Sequence, residues 1–344
     1  MDKRGLMKIA LICNFTSLGD NIVNIKALYA LKMLYPNGTV SFITKKAFAR
    51  VFENLAFVDE LAFIDDLANG GGGDLDLQGL NIDILLLGRS YKDKFIIKAA
   101  KNANIKRIIS PFHSKTFFDG QIQSFLYLQI HKCLESYKLL RAVRAVDKKH
   151  YDANIDKIDF SKARLQTLSE NKAFVDEFCK KHKLNSYKKV VGLNPFGFSN
   201  PNFKFEIKEW EKLGEILAQT YPKIAFVMMN YKANSYHYKL FAQENLKAFV
   251  NDDDLLNLVE FTSRLDLLIS VDTGNVHIAD NLNKSILEVI KRRKISFEWC
   301  GGSYGNECEL VKLPNGWKKH YEKHKNAFFQ KAIKQAARLA KGQI

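Results

Sequence analysis

The first candidate for chemistry is a carboxylate that follows the first apolar stretch of the chain. Residues 9–12 predict a buried strand, and the turn Thr16-Ser17-Leu18-Gly19-Asp20 comes directly after it, where a helical stretch opens. The helix dipole stabilises a carboxylate there as an anion, so Asp20 could serve as a general base for a hydroxyl group. The alternative is that Asp20 only caps the helix, which is a common arrangement.

A second candidate site lies where another predicted strand ends. Residues 267–271 are apolar and lead into Asp272-Thr273-Gly274, and a helix begins within two residues. The first turn of a helix presents unpaired N–H groups and the positive end of the dipole, which suits a pyrophosphate. Gly274 would let the backbone approach a phosphate, Thr273 could donate its hydroxyl, and His277 lies one turn further on. An ordinary helix start capped by Asp272 or Thr273 explains the same residues.

Both candidate sites lie in segments where strand and helix signals alternate. In the first half, strands are predicted at residues 8–13, 39–43, 60–64, 82–87 and 105–109, with helices at 21–35, 45–54 and 92–102. In the second half, strands are predicted at 189–194, 224–229 and 267–271, with helices at 207–220, 252–263, 275–282 and 325–339. Residues 121–182 read as mostly helical. This alternation is typical of parallel sheets with helices on both faces.

The bulk composition narrows the class of protein. A chain of 344 residues suits two domains, and 47% hydrophobic with 26% charged residues is typical of a soluble globular protein. The five cysteines have neither zinc-site spacing nor the pattern of a disulfide framework, which fits a reducing cytoplasm. The formal net charge of +16 indicates an anionic partner: nucleic acid, an anionic membrane surface, or a phosphorylated or acidic substrate.

Four segments, in this order along the whole chain, resemble the heptosyltransferases, the inverting bacterial glycosyltransferases of family 9. The first joins the initial strand to Ser17-Leu18-Gly19-Asp20 and residues 27–36. The second is Phe57-Val58-Asp59-Glu60. The third is Val191-Gly192-Leu193-Asn194-Pro195, followed by Lys204 and Trp210. The fourth is 265–279, which contains Asp-Thr-Gly-x-x-His-x-Ala.

The resemblance implies an α/β protein of the GT-B fold, in which two Rossmann-like domains with parallel sheets face a central cleft. Residues 1–184 would form the acceptor-binding domain and residues 185–344 the donor-binding domain, with a last helix at about 325–340 that packs back on the first domain. Asp20 would be the general base. The implied donor-binding residues are Asn194, Lys204, Asp272, Thr273, Gly274 and His277, and the acceptor-binding candidates are Ser17, Gly19, Lys45 and Arg89.

The function implied by the resemblance is inverting transfer of heptose, or a related sugar, from a nucleotide-sugar donor such as ADP-heptose. The acceptor would be an anionic, lipid-linked lipopolysaccharide or lipooligosaccharide core, which fits the basic excess. The enzyme would be cytoplasmic and peripheral on the inner membrane, with no metal, cofactor or nucleic acid partner. One base for the acceptor hydroxyl and positive groups for the leaving diphosphate suffice for this chemistry.

Other functions fit parts of the same pattern. They are a GT-B transferase with another donor or acceptor, a GT-B nucleotide-sugar epimerase, a basic nucleic-acid-binding protein, and a degenerate transferase that only binds its ligands. The chain departs from the family pattern at residues 195–198, 230–234 and 291–302, around the nucleotide and sugar pocket. The donor is therefore less constrained than the reaction type.

Overall fold

The computed structural model describes residues 7–69, 74–88, 94–111, 120, 122–125, 134–197, 204–292 and 298–344. The chain divides into two compact units, Met1–Arg164 and Leu165–Ile344. Each unit contains one six-stranded sheet in which every strand pairing is parallel. The predicted α/β class is therefore confirmed.

The first sheet is built around the strand that precedes Asp20. Its strands are β1 (Lys8–Ile12), β2 (Thr39–Thr44), β3 (Glu60–Phe63), β6 (Ile84–Leu87), β7 (Arg107–Pro111) and β8 (Ile122–Phe125), and a separate antiparallel pair is formed by β4 (Ala68–Asn69) and β5 (Asp74–Leu75). The spatial order is β3-β2-β1-β6-β7-β8. The chain thus moves outward from β1 to β3 and returns to the other side of β1, which makes the carboxyl end of β1 a topological switch point.

Seven helices are described in the first unit: α1 (Leu18–Ile22), α2 (Ile25–Leu34), α3 (Ala49–Phe52), α4 (Ile64–Leu67), α5 (Lys94–Asn102), α6 (Glu135–Val146) and α7 (Lys148–Asn154). The helix predicted at 21–35 is two helices, because the chain leaves α1 at Val23 and starts α2 after Asn24. The prediction of mostly helix for residues 121–182 is wrong at β8, which pairs with β7 through backbone hydrogen bonds that local periodicity does not reveal.

The second sheet repeats the plan of the first. Its strands are β9 (Lys189–Asn194), β10 (Ile224–Tyr231), β11 (Leu246–Asn251), β12 (Leu267–Val271), β13 (Ser285–Lys291) and β14 (Cys308–Leu313). The order β11-β10-β9-β12-β13-β14 places a second switch point between β9 and β12. The loops that leave these two strands therefore start side by side at the carboxyl edge of the sheet.

The helices of the second unit are α8 (Ser169–Lys181), α9 (Ile207–Thr220), α10 (Leu255–Ser263), α11 (Gly274–Asn281) and α12 (Tyr321–Ala340). The second unit starts at Leu165 rather than at residue 185, because α8 packs on α10 and contributes Val175 and Cys179 to the core there. The buried face of α12 also belongs to this unit, where Phe328 and Ala332 share a core with Trp210.

None of the helices that the structure describes combines the length and the apolar character required to cross a membrane.

Candidate active site

The carboxylate of Asp20 is held by the residue that caps its helix. Ser17 is the N-cap of α1, and its Oγ accepts a hydrogen bond from the Asp20 backbone N–H at 3.3 Å. The Ser17 hydroxyl also donates to the Asp20 carboxylate. Asp20 is half-buried. Ser17 therefore supplies the cap, and Asp20 stands in the first turn with an oriented carboxylate.

Buried polar side chains fix this turn between the ends of β1 and β2. The Asn21 side-chain amide donates to the carbonyl oxygens of Phe15 at 3.2 Å and Ser17 at 2.8 Å, and Asn21 accepts from the Thr44 hydroxyl. Asn24 donates to the Asp20 carbonyl oxygen at 2.8 Å. Neither Asn21 nor Asn24 was predicted to belong to the site. Asparagines on the side of a helix that faces a sheet could have indicated them, because buried amides need specific hydrogen-bond partners.

Three of the acceptor candidates, Ser17, Gly19 and Lys45, lie at the same edge of the first sheet. Gly19 is buried beside Asp20 in α1. Lys45 follows β2 directly and is half-buried, with its Nζ 4.0 Å from an oxygen of the Asp65 carboxylate. Strands β1 and β2 are parallel neighbours and end at the same edge of the sheet. Lys45, which follows β2, and the turn from Ser17 to Asp20, which follows β1, therefore start from adjacent strand ends. Arg89 lies outside the described residues.

The second candidate turn follows β12 as predicted. Thr273 is the N-cap residue of α11 in an extended conformation, and no hydrogen bond from its side chain caps the helix within the described part of the chain. The Thr273 carbonyl oxygen accepts from the Val276 N–H at 3.0 Å. The Thr273 hydroxyl is thus not used as the cap, which weakens the purely structural explanation of this residue.

The loop after β9 packs tightly against this turn. Asn194 is buried at the end of β9 and donates to the Ser270 hydroxyl at 3.0 Å. A Cβ atom on Gly197 would lie 2.8 Å from the Asp272 carbonyl oxygen and 2.9 Å from Val271 Cγ2. Only glycine leaves room for this approach, and Gly197 was not among the predicted site residues. Lys204, at the far end of the same connection, is half-buried just before α9.

His277 is buried in the first half of α11, where its ring is nearly perpendicular to that of Trp299, with the two centroids 6.2 Å apart. Burial lowers the pKa of His277 to about 4. The imidazole is therefore neutral at neutral pH, so it can donate or accept a hydrogen bond but brings no positive charge. The negative charge of a bound diphosphate must therefore be balanced by groups other than His277.

A buried carboxyl group lies near the second turn. Glu288 is on β13, in register with Ser270 of β12. Burial, reinforced by the nearby Asp272 carboxylate, raises the pKa of Glu288 well above its usual range. The signal in the sequence was a carboxylate flanked on both sides by apolar residues, Ile286-Leu287 before it and Val289-Ile290 after it. Among the residues whose placement is described, no group of three or more His, Cys, Asp or Glu side chains could hold a metal ion.

Comparison with known proteins gives matches at the level of structure. No protein-family model and no curated protein sequence matches the chain. A family 9 glycosyl transferase from Veillonella parvula superposes with a TM-score of 0.72 at 14% identity, over 97% of this chain and 96% of that one. The E. coli ADP-heptose lps heptosyltransferase II gives 0.64 at 13% identity, over 95% and 99%. The chain has the fold of these transferases.

A third neighbour is similar over the same extent. The E. coli heptosyltransferase WaaC with ADP gives a TM-score of 0.58 at 11% identity, over 92% of this chain and 100% of that one. The GT-B fold predicted from the sequence is therefore confirmed. The roles assigned to Asp20, Lys204 and the Thr273 turn remain predictions, because likeness at these identities concerns the fold.

Proposed function

We propose that the protein is an inverting glycosyltransferase that moves heptose, or a related sugar, from a nucleotide-diphosphate sugar to an acidic acceptor. ADP-heptose is the favoured donor, and a lipopolysaccharide or lipooligosaccharide core is the favoured acceptor. The observation that carries the proposal is the position of the two candidate turns. Each follows the strand end at the switch point of its own parallel sheet, which is where such sheets bind ligands.

Asp20 is assigned the role of general base. Its carboxylate would take the proton of the acceptor hydroxyl as the oxygen attacks the anomeric carbon from the face opposite the leaving diphosphate. The anomeric configuration is then inverted in one step. Ser17 orients the carboxylate through its hydroxyl, so Asp20 needs little rearrangement before proton transfer.

The leaving diphosphate is assigned to the second unit. The first turn of α11, the Thr273 hydroxyl that does not cap the helix, and Lys204 would stabilise its developing charge. Gly274 permits close backbone approach, while Asn194, Asp272 and the neutral His277 would shape the nucleotide–sugar pocket. No metal or other cofactor takes part in this scheme, and the transfer step requires none.

The acceptor side is assigned to Ser17, Gly19, Lys45 and Arg89. A net charge of +16 favours a phosphorylated or acidic glycan, and it also favours peripheral contact with the anionic cytoplasmic leaflet of the inner membrane. The protein would act as a cytoplasmic enzyme at that surface, with no nucleic acid partner.

Replacing Asp20 with asparagine tests the proposal. We expect Asp20→Asn to lower the rate of ADP release from ADP-heptose, with a heptose-deficient core as acceptor, by about 10²–10⁴-fold. ADP affinity should stay unchanged, because the base lies outside the donor unit. The assay buffer contains EDTA, in which the wild type should turn over normally.

The matched control is Asp156→Asn, which removes an exposed carboxylate from the same unit and should leave turnover unchanged. Near-normal turnover by Asp20→Asn would contradict the assignment of the base. Strict dependence of the wild type on a divalent ion would contradict the metal-free scheme.

A further inference from the structure

A buried side-chain amide lies at the carboxyl end of β11, in the same sheet as the turn assigned to the diphosphate. Asn251 is the last residue of β11 and is 4% exposed. Its amide nitrogen donates to the carbonyl oxygens of Asp252 at 2.8 Å and Asp254 at 3.2 Å. Its Oδ1 is also buried, and no donor among the described residues reaches it. A buried acceptor costs free energy unless a bound molecule supplies the missing donor.

The orientation of this amide is fixed by the loop that follows β11. Both groups that hold the Asn251 nitrogen are carbonyl oxygens, so an amide turned the other way would place its own oxygen against them. The loop is held in turn by the Asp252 carboxylate, which accepts from the Asp254 backbone N–H at 2.9 Å and from the Asn257 side-chain amide at 3.0 Å. Asn251 therefore offers a ligand an acceptor and not a donor.

Aromatic side chains lie at the neighbouring strand ends. Tyr231, the last residue of β10, pairs in register with Asn251, so the two side chains leave the same face of the sheet. The Tyr231 ring is nearly perpendicular to that of Phe196, which follows β9, and the two centroids are 6.0 Å apart. Both rings are half-buried. A ring that is partly exposed can stack on a nucleobase, and such stacking is favourable for every base because each has a π face.

The loop after β9 connects these rings to the turn before α11. Gly197 follows Phe196 directly, and a Cβ atom on Gly197 would lie 2.8 Å from the Asp272 carbonyl oxygen. The strand order β11-β10-β9-β12 places Asn251 three strand spacings, about 14 Å, from the strand end assigned to the diphosphate. An extended nucleoside diphosphate is long enough to reach from one to the other.

We propose that Asn251 selects the base of the nucleotide-sugar donor. Its Oδ1 accepts a hydrogen bond from an exocyclic amino group, as in adenine, while the base stacks on Tyr231. This assignment deepens the proposed function and rests on it. A base with a carbonyl oxygen at the same position sets two acceptors against each other and leaves the Asn251 oxygen without a donor. Stacking thus contributes affinity for any base, and Asn251 contributes the choice among bases.

Calorimetry with ADP and IDP tests the assignment, because hypoxanthine has a carbonyl oxygen where adenine has its amino group. We expect the wild type to bind ADP about tenfold or more tightly than IDP. Asn251→Ala should lower the affinity for ADP and make the two affinities nearly equal. Tyr231→Leu should weaken both nucleotides by about fivefold or more and leave their ratio unchanged, because stacking does not distinguish the two bases.

Asn306→Ala is the matched control. The Asn306 amide nitrogen also donates to a backbone carbonyl oxygen, that of Lys284 at 2.8 Å, and its Oδ1 is likewise buried with no partner among the described residues. Lys284 and Asn306 precede β13 and β14, however, so this amide lies at the amino edge of the sheet, opposite the donor turn. Asn306→Ala should keep the affinity for ADP and the ratio of the wild type.

Equal binding of ADP and IDP by the wild type would overturn the assignment, and this comparison needs no variant to fold. A wild-type ratio in Asn251→Ala would overturn it as well, since a purely structural amide would weaken both nucleotides alike. Binding of neither nucleotide by the wild type would contradict the proposed donor, and the assignment with it. The three outcomes are distinct, so a failure of the base assignment is distinguishable from a failure of the proposed function.

Discussion

Ser17 and Asp20 exchange hydrogen bonds in both directions, with the Asp20 backbone N–H donating to Ser17 and the Ser17 hydroxyl donating to the carboxylate. From the residues alone, a helix cap was the better explanation of Asp20, and only the resemblance to the heptosyltransferases favoured a catalytic base. In the structure the cap is Ser17, whose side chain is oriented toward the Asp20 N–H group. Periodicity and spacing do not show how a side chain is oriented, so the sequence could not tell which of the two residues is the cap.

Lys204 provides a test of the donor assignment at a single residue. We expect Lys204→Ala to weaken ADP binding by about 1–3 kcal/mol, the scale of a lost charge-assisted hydrogen bond. Lys208→Ala is the matched control, since it removes an exposed lysine of α9 and should leave ADP affinity unchanged. Calorimetry that gives equal losses for both variants would remove Lys204 from the site.

The buried His277 makes stability depend on pH in a defined direction. Its pKa is about 4 in the folded protein and 6.5 in the absence of burial, so between these values the unfolded chain binds a proton that the folded chain does not. Stability therefore rises with pH through this window and is complete above it. On lowering the pH from about 7 to about 4.5, we expect the wild type to lose about 2–3 kcal/mol more unfolding free energy than His277→Gln. Parallel losses in urea unfolding would show that the imidazole is not buried as a neutral ring.

Helices and strands differ in how far the sequence determines them. Strands β9 and β12 and helix α9 have the predicted bounds, because apolar runs and amphipathic periodicity end there at clear turn residues. The predicted helix at 45–54 is instead a 3₁₀ turn at Lys46–Phe48 followed by α3. Strands β11, β13 and β14 were not predicted. Each of them pairs in parallel with a strand that a connecting segment separates from it, as Leu246 pairs with Phe226 and Cys308 with Ile286, and a local sequence pattern does not contain such a pairing.

The loop after β9 packs against the turn that precedes α11, and a mutation at Gly197 tests how much this contact contributes. Gly197→Ala places a methyl group against the Asp272 carbonyl oxygen and Val271 Cγ2, and the carbonyl oxygen is a backbone atom that cannot turn aside as a flexible side chain can. We expect a loss of about 1–3 kcal/mol in unfolding free energy together with weaker ADP binding. Gly79→Ala is the control, because a Cβ there meets nothing within 4 Å, and it should change neither quantity. Unaltered stability and affinity for Gly197→Ala would show that the turn does not depend on this approach.

Across the whole molecule, the two units repeat one strand plan, with two strands on one side of the first and three on the other. The alternating sequence predicted this class of sheet in both halves, but not the division at Leu165. Residues 165–184 contain a helix whose sequence looks continuous with the helical segment before it. Its membership in the second unit depends on the packing of Val175 and Cys179, which is a tertiary property.

If the protein takes its sugar from a nucleoside diphosphate sugar, it must bind a nucleoside diphosphate, and binding of ADP, UDP, GDP and CDP to the wild type tests this directly. A ligand specific for the folded state raises the melting temperature by mass action, and calorimetry on the same panel gives the affinities. We predict that ADP binds most tightly, by about tenfold or more over the other three, which is about 1.4 kcal/mol. Binding of none of the four nucleotides would contradict the transferase, and preference for UDP would contradict ADP-heptose as the donor.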